Sequence, residues 1–153
     1  MKKIGKKVLD MIGFLIAMLS GALMSVQGVW NTQVTKQTGL YVSNMWVQAT
    51  ALVVCLIAWV VMGRDSVASI AKVEPRYLLL GGALGAGITW TVIKSIASLG
   101  PAQASLFIVI TQITVSYFIQ LFGIFGEDKQ PFEWNKVIGI LIAIGGIWLF
   151  SRK

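Results

Sequence analysis

The sequence predicts an all-α integral membrane protein, a bundle of five transmembrane helices. Three observations carry this reading. Of the 153 residues 56% are hydrophobic and only 12% charged, mean hydropathy is +0.78, and the apolar residues arrive in long unbroken blocks. A soluble domain carries roughly a quarter charged residues. A bilayer core about 30 Å thick takes roughly 20 helical residues to cross, whereas a membrane barrel would show alternating segments of about ten.

Five blocks follow along one membrane domain spanning 1–153, at about 11–31, 44–63, 77–97, 102–125 and 135–150. The fifth is short and calls for a thinned bilayer or interfacial anchors. The first follows Lys2, Lys3, Lys6 and Lys7, as a secretory signal would. Its length, its polar Gln27 and Asn31 and the lack of a small-x-small cleavage site make it a retained helix.

The charges lie where such a bundle allows them. Asp10, Asp65, Glu74, Glu127, Asp128 and Glu133 all fall at or beyond block ends; of the basic residues only Lys94 lies well inside a block, Lys136 standing at the start of the fifth. With the N-terminus cytoplasmic, inner segments hold nine basic residues (Lys2, Lys3, Lys6, Lys7, Arg64, Lys72, Arg76, Lys129, Lys136), against Lys36, Arg152 and Lys153 outside. Cytoplasmic loops carry that excess, so the C-terminus is expected outside. Trp30, Trp46 and Trp148 then form an outer aromatic belt, and Trp59, Tyr77 and Trp134 an inner one. The net charge of +7 is explained by basic residues near anionic lipid and requires no nucleic acid.

Polar side chains inside membrane helices mark the faces that avoid lipid. On the first helix Ser20, Gln27 and Asn31 fall close together, beside a small-residue run Gly13, Ala17, Gly21, Ser25. On the second, Asn44, Gln48 and Ala51 share a face. The third carries Gly81, Gly82, Gly85 and Gly87, then Thr89, Trp90, Lys94 and Ser95. On the fourth, Ser105, Gln112, Ser116 and Gln120 recur at helical spacing. The fifth has Gly139, Ala143 and Gly146 on one side and reads as a packing helix. Gln27, Asn31, Gln48, Trp90, Lys94, Gln112, Ser116 and Gln120 are therefore candidate solute-binding residues. Gly13, Gly21, Gly81, Gly85, Gly139 and Gly146 are candidate helix-packing positions. Interhelical hydrogen bonding, worth about 0.6–2 kcal/mol per pair, explains Gln27 and Asn31 equally well, whereas Gln112, near the membrane centre, points rather to a solvent-filled cavity. Lys94 can either snorkel to the interface or set its ammonium against Trp90, four residues earlier.

Catalysis has no visible apparatus. There is no histidine, the single cysteine Cys55 reads as a small apolar residue, and no metal cluster, phosphate loop or buried carboxylate is present. No enzyme activity, cofactor or metal is expected.

The stretch Gly21-Ala22-Leu23-Met24-Ser25-Val26-Gln27-Gly28-Val29-Trp30-Asn31 resembles the first-helix signature of the YdcZ-like inner-membrane exporters of the drug/metabolite transporter superfamily. Gly81-Gly82-Ala83-Leu84-Gly85-Ala86, Gln112 and Phe122-Gly123-Ile124-Phe125-Gly126 resemble later features in the same order. The resemblance covers about 11–150 and implies a multi-pass protein of the bacterial inner membrane, related to half of a ten-helix transporter and pairing with a second copy or a paralogue. It equates Gln27 and Asn31 with the family's first-helix polar pair and Gln112 with its fourth-helix amide. Two positions depart from the pattern. Thr111 stands where a glycine is expected, and Gln120 where an acidic residue is common, which removes a carboxylate that proton coupling would use.

Two function classes remain. The first is a small-molecule transporter working as a dimer, with its cavity between the polar faces of helices one, three and four. The second is a non-transporting membrane subunit that packs through its glycine faces and modulates a partner. In both the partners are membrane lipid and another membrane chain; in the first a small solute joins them.

Overall fold

The computed structural model describes residues 2–63 and 65–152, with side chains from residue 9 onward. Arg64 and Lys153, and the side chains of Lys2, Lys3, Lys6 and Lys7, all counted in the charge bias, lie outside the described residues. Among the described residues there is no strand. Five α-helices run as α1 (Lys2–Thr38), α2 (Leu40–Met62), α3 (Gly81–Leu99), α4 (Pro101–Phe122) and α5 (Trp134–Ser151). Short 3-10 helices occupy Val67–Lys72, Arg76–Leu80 and Ile124–Gly126.

Five segments are long and apolar enough to cross a membrane: Leu9–Thr38, Leu40–Met62, Arg76–Leu99, Pro101–Phe122 and Trp134–Ser151. Their apolar side chains point outward, Val61 at 76% exposure and Ile142 at 70%. Such surface suits lipid, where an apolar face has no water to avoid and the helix satisfies its own backbone.

The element ends differ from those the block pattern predicts, for local reasons. Helix α1 runs seven residues past the expected end because the polar run after Asn31 continues the helix until Gly39 stops it. Gly39 (φ 89°, ψ 158°) and Gly100 (φ 80°, ψ 162°) precede α2 and α4 in the same glycine-only conformation. Pro101 then fits the first turn of α4, where its missing N–H costs nothing. At the far end, α4 stops at Phe122, three residues short of the expected boundary, because Gly123 turns left-handed and its N–H caps the Ile119 carbonyl. The expected start of the third helix is a 3-10 turn, Arg76–Leu80, leading into Gly81.

The chain divides into two compact units, with the boundary after Ala97. In the first, the Ser43 hydroxyl, fully buried, donates to the Asn31 carbonyl at 3.2 Å and fastens α2 to α1. Helix α3 closes on α1 where Ile96 and Val92 lie over Gly28; a Cβ there would come within 2.7 Å of Ile96 Cδ1. The Trp59 indole N–H donates to the Asp65 carbonyl at 2.9 Å, tying the following loop back to α2.

The second unit pairs α4 with α5. The loop between them folds back so that the Gln130 N–H reaches the Gln120 carbonyl at 2.9 Å. The Tyr117 hydroxyl, on a side chain only 8% exposed, accepts the Glu133 backbone N–H at 3.0 Å. Phe132 packs near Tyr117 and edge-on to Trp134.

Candidate functional site

Hydroxyls and amides behave differently in these helices, and the difference sorts the candidate residues. A serine or threonine can donate to the carbonyl one turn back. Ser20, Ser25, Thr32, Thr89, Thr91, Thr111 and Thr114 all do so, at 2.8–3.0 Å. Their hydroxyl hydrogens are spent within the helix. A glutamine or asparagine side chain has more donors and acceptors than one carbonyl can use, so its partners must come from elsewhere.

In the first unit two amides find partners on a neighbouring helix. Asn44 Nδ2 donates to the Ala86 carbonyl at 3.0 Å, and Gln48 Nε2 donates to Thr89 Oγ1 at 3.4 Å. The shared face of Asn44 and Gln48 thus meets the glycine-rich start of α3. Gln48 acts here as an interhelical clamp. Ala51, grouped with them by spacing, is exposed. One turn toward the end of α3, the Lys94 ammonium stands 4.7 Å from the Trp90 ring centroid, and Tyr41 lies 6.2 Å from the same ring. Of the two geometries open to Lys94, the structure has the contact with Trp90. Asn31 is half-buried, its carbonyl taken by Ser43. Gln27 is exposed and makes no side-chain hydrogen bond among the described residues.

In the second unit the α4 stripe opens into a groove of about 670 Å³ between α4 and α5. Gln112, Ser116 and Gln120 form one wall, Gly139 and Ala143 part of the other, and Lys136 stands at one end. At 1.5 Å per residue the stripe from Gln112 to Gln120 extends about 12 Å. Gln112, Ser116 and Gln120 make no side-chain hydrogen bond among the described residues, so their hydrogen-bonding capacity faces the groove unspent. Ser105, at the same periodicity, does not line it. Lys136 pairs with Glu133 at 2.9 Å and lies 5.7 Å from the Tyr117 ring, so its charge is compensated locally.

A Cβ added at Gly13, Gly21, Gly81, Gly85, Gly139 or Gly146 would meet nothing within 4 Å. Within one chain the close helix approach falls at Gly28 instead. At Gly139 the small side leaves room for the groove.

Sequence reasoning passed over Tyr117, Lys136 and Tyr41. A tyrosine in the middle of an apolar span is itself a signal, because its hydroxyl requires a partner there. That the partner is the backbone of Glu133, sixteen residues on, has no sequence signature.

Five spans long and apolar enough to cross a bilayer define a polytopic membrane protein. Residues 12–149 match the family model "Putative inner membrane exporter, YdcZ". The chain belongs to that family, and is a multi-pass protein of the bacterial inner membrane. Neither a curated protein nor a solved structure shows significant similarity to it.

Proposed function

We propose that the chain exports a small, uncharged, hydrogen-bonding solute, recognised by Gln112, Ser116 and Gln120. The observation that carries this reading is the unspent amide stripe facing the α4–α5 groove. A polar side chain in a membrane segment left without an intramolecular partner needs water, solute or another chain beside it. The single charge at the groove, Lys136, is neutralised by Glu133, which favours a solute without net charge. Gln27, Asn31, Trp90 and Lys94 are proposed as further contacts along the solute's route. The working unit is a dimer, with a second copy or a paralogue. The N-terminus is cytoplasmic and the C-terminus outside, a reading supported by the lysine and arginine bias.

The test is saturable flux by the purified chain in proteoliposomes, over a panel of neutral, cationic and anionic metabolites, with Gln112→Ala beside the native protein. Saturable flux of a neutral solute whose half-saturating concentration Gln112→Ala raises about two- to tenfold supports the proposal. Flux of charged solutes that is insensitive to Gln112 overturns it.

A second reading, a non-transporting subunit, is favoured by one observation: the open glycine faces at Gly13, Gly21 and Gly146 leave room for another helix to approach closely. It predicts that the activity of the complex survives Gln112→Ala.

A further inference from the structure

The connection between α2 and α3 carries a second groove that transport does not account for. It measures about 510 Å³ and is lined by Val67, Ile70, Ala71, Val73, Arg76 and Leu79. Five of these six residues are apolar. Val67 and Ile70 remain 62% and 54% exposed, although they lie in a loop where water would select against them. The sixth, Arg76, makes no ion pair or hydrogen bond among the described residues.

The groove lies between two spans long and apolar enough to cross a membrane. One ends at Met62 and the next begins at Arg76. With the span crossing a bilayer, Arg76 as its first residue would stand at the boundary between hydrocarbon and headgroups, and Leu79 about a turn further in. Charge at the boundary and an apolar trough beside it match the shape of one molecule class. We propose that this groove binds an anionic phospholipid, its phosphate on the Arg76 guanidinium and part of an acyl chain along Ile70 and Leu79.

The chemistry fits each part. A guanidinium offers a planar fork of donors that suits phosphate oxygens and stays charged at any physiological pH. The apolar walls distinguish the occupant from a free phosphate ion, which would gain nothing from them. Lys72 is the other described cation of this loop, and Asp65 and Glu74 are its carboxylates. None of the three lines the groove, so among the described residues the guanidinium alone gives it a charge. The Trp59–Asp65 hydrogen bond anchors the loop's first residues to α2.

Native mass spectrometry of the full-length chain, released from detergent micelles, tests this directly. The chain is mixed with phosphatidylglycerol or with phosphatidylcholine of the same acyl length, and separately with glycerol phosphate as a chainless competitor. The expected result is one retained phosphatidylglycerol, favoured over phosphatidylcholine by about fivefold, the effect of one basic residue near an anionic headgroup. Arg76→Gln should abolish the preference and Arg76→Lys should keep most of it. Ile70→Ser should weaken retention of both lipids, and glycerol phosphate should not displace the bound one. Equal retention of the two lipids, or a preference unchanged in Arg76→Gln, overturns the proposal. Displacement by glycerol phosphate overturns it as well, because the apolar walls would then play no part. Circular dichroism of each variant separates loss of lipid from loss of fold.

Discussion

The Tyr117 hydroxyl accepts the Glu133 backbone N–H at 3.0 Å and donates toward the carbonyl of the same residue at 3.4 Å. Glu133 is the N-cap of α5, and its own side chain makes no capping bond. A residue of α4 thus holds the entry to α5, while the Glu133 carboxylate is free to pair with Lys136. Tyr117→Phe keeps the ring among its aromatic neighbours and removes only the hydroxyl. A net hydrogen bond is worth about 1 kcal/mol, so thermal unfolding in detergent should shift down by a few degrees. An unchanged midpoint would mean that water replaces the hydroxyl without loss.

Gly28 should tolerate little enlargement. A Cβ there reaches within 2.7 Å of Ile96 Cδ1 and 3.4 Å of Val92 Cγ1, and Ile96 is buried. Alanine can be accommodated by a small rotation of the Ile96 tip. Gly28→Leu cannot, and overpacking of this kind costs about 1–3 kcal/mol. Ile96→Ala opens the same space, so the double variant should be more stable than the two single losses added together. Additive losses in denaturation would place the two residues out of contact.

Gly39 and Gly100 present the opposite case, in which space is ample and the backbone decides. A Cβ at either position meets nothing within 4 Å, yet both have φ above +75° with an extended ψ. That region is essentially closed to residues with a side chain, at a cost of about 1–3 kcal/mol. Gly39→Ala and Gly100→Ala should each lower the unfolding midpoint, whereas Gly13→Ala, in mid-helix and unobstructed, should raise it by the helix propensity difference of about 1 kcal/mol. Thermal melts of the three variants side by side check the ordering.

The five spans were legible because hydrocarbon thickness imposes a length on apolar runs, and that constraint is written residue by residue. Their ends were less so. Thr32, Gln33, Lys36 and Gln37 look like a loop by polarity, but a helix continues through polar residues until a backbone break such as Gly39 stops it. The α4 stripe was legible from its spacing, since Gln112, Ser116 and Gln120 fall on one face in any helix. What that face looks onto was not. Gly139 and Ala143 read as a packing surface, and in the fold they help form the far wall of a groove. Spacing fixes direction around one helix axis and says nothing of the neighbour. Likewise Gln48 and Gln112 are alike in sequence, each an amide within an apolar block. They part only when Thr89 is found beside the first and open space beside the second.

That contrast gives a way to tell a structural amide from a functional one. Gln48 Nε2 bonds Thr89 Oγ1 at 3.4 Å, so Gln48→Ala removes an interhelical contact worth about 0.6 kcal/mol, the average for such bonds in membranes. Asn44→Ala should cost more, because its bond to the Ala86 carbonyl is shorter, at 3.0 Å. Gln112→Ala removes no bond within the chain and should leave the unfolding midpoint unchanged or slightly higher. Solute flux should order the variants the other way. Losing one hydrogen bond to a neutral solute, about 0.5–1.5 kcal/mol, lowers affinity about two- to tenfold, so Gln112→Ala should raise the half-saturating concentration by that factor. Gln48→Ala should leave it near the native value. Melting curves and flux measured on the same three preparations decide the matter. If Gln112→Ala destabilises the chain and spares its flux, the α4 stripe is scaffold, and the solute contacts must be sought among Gln27, Trp90 and Lys94.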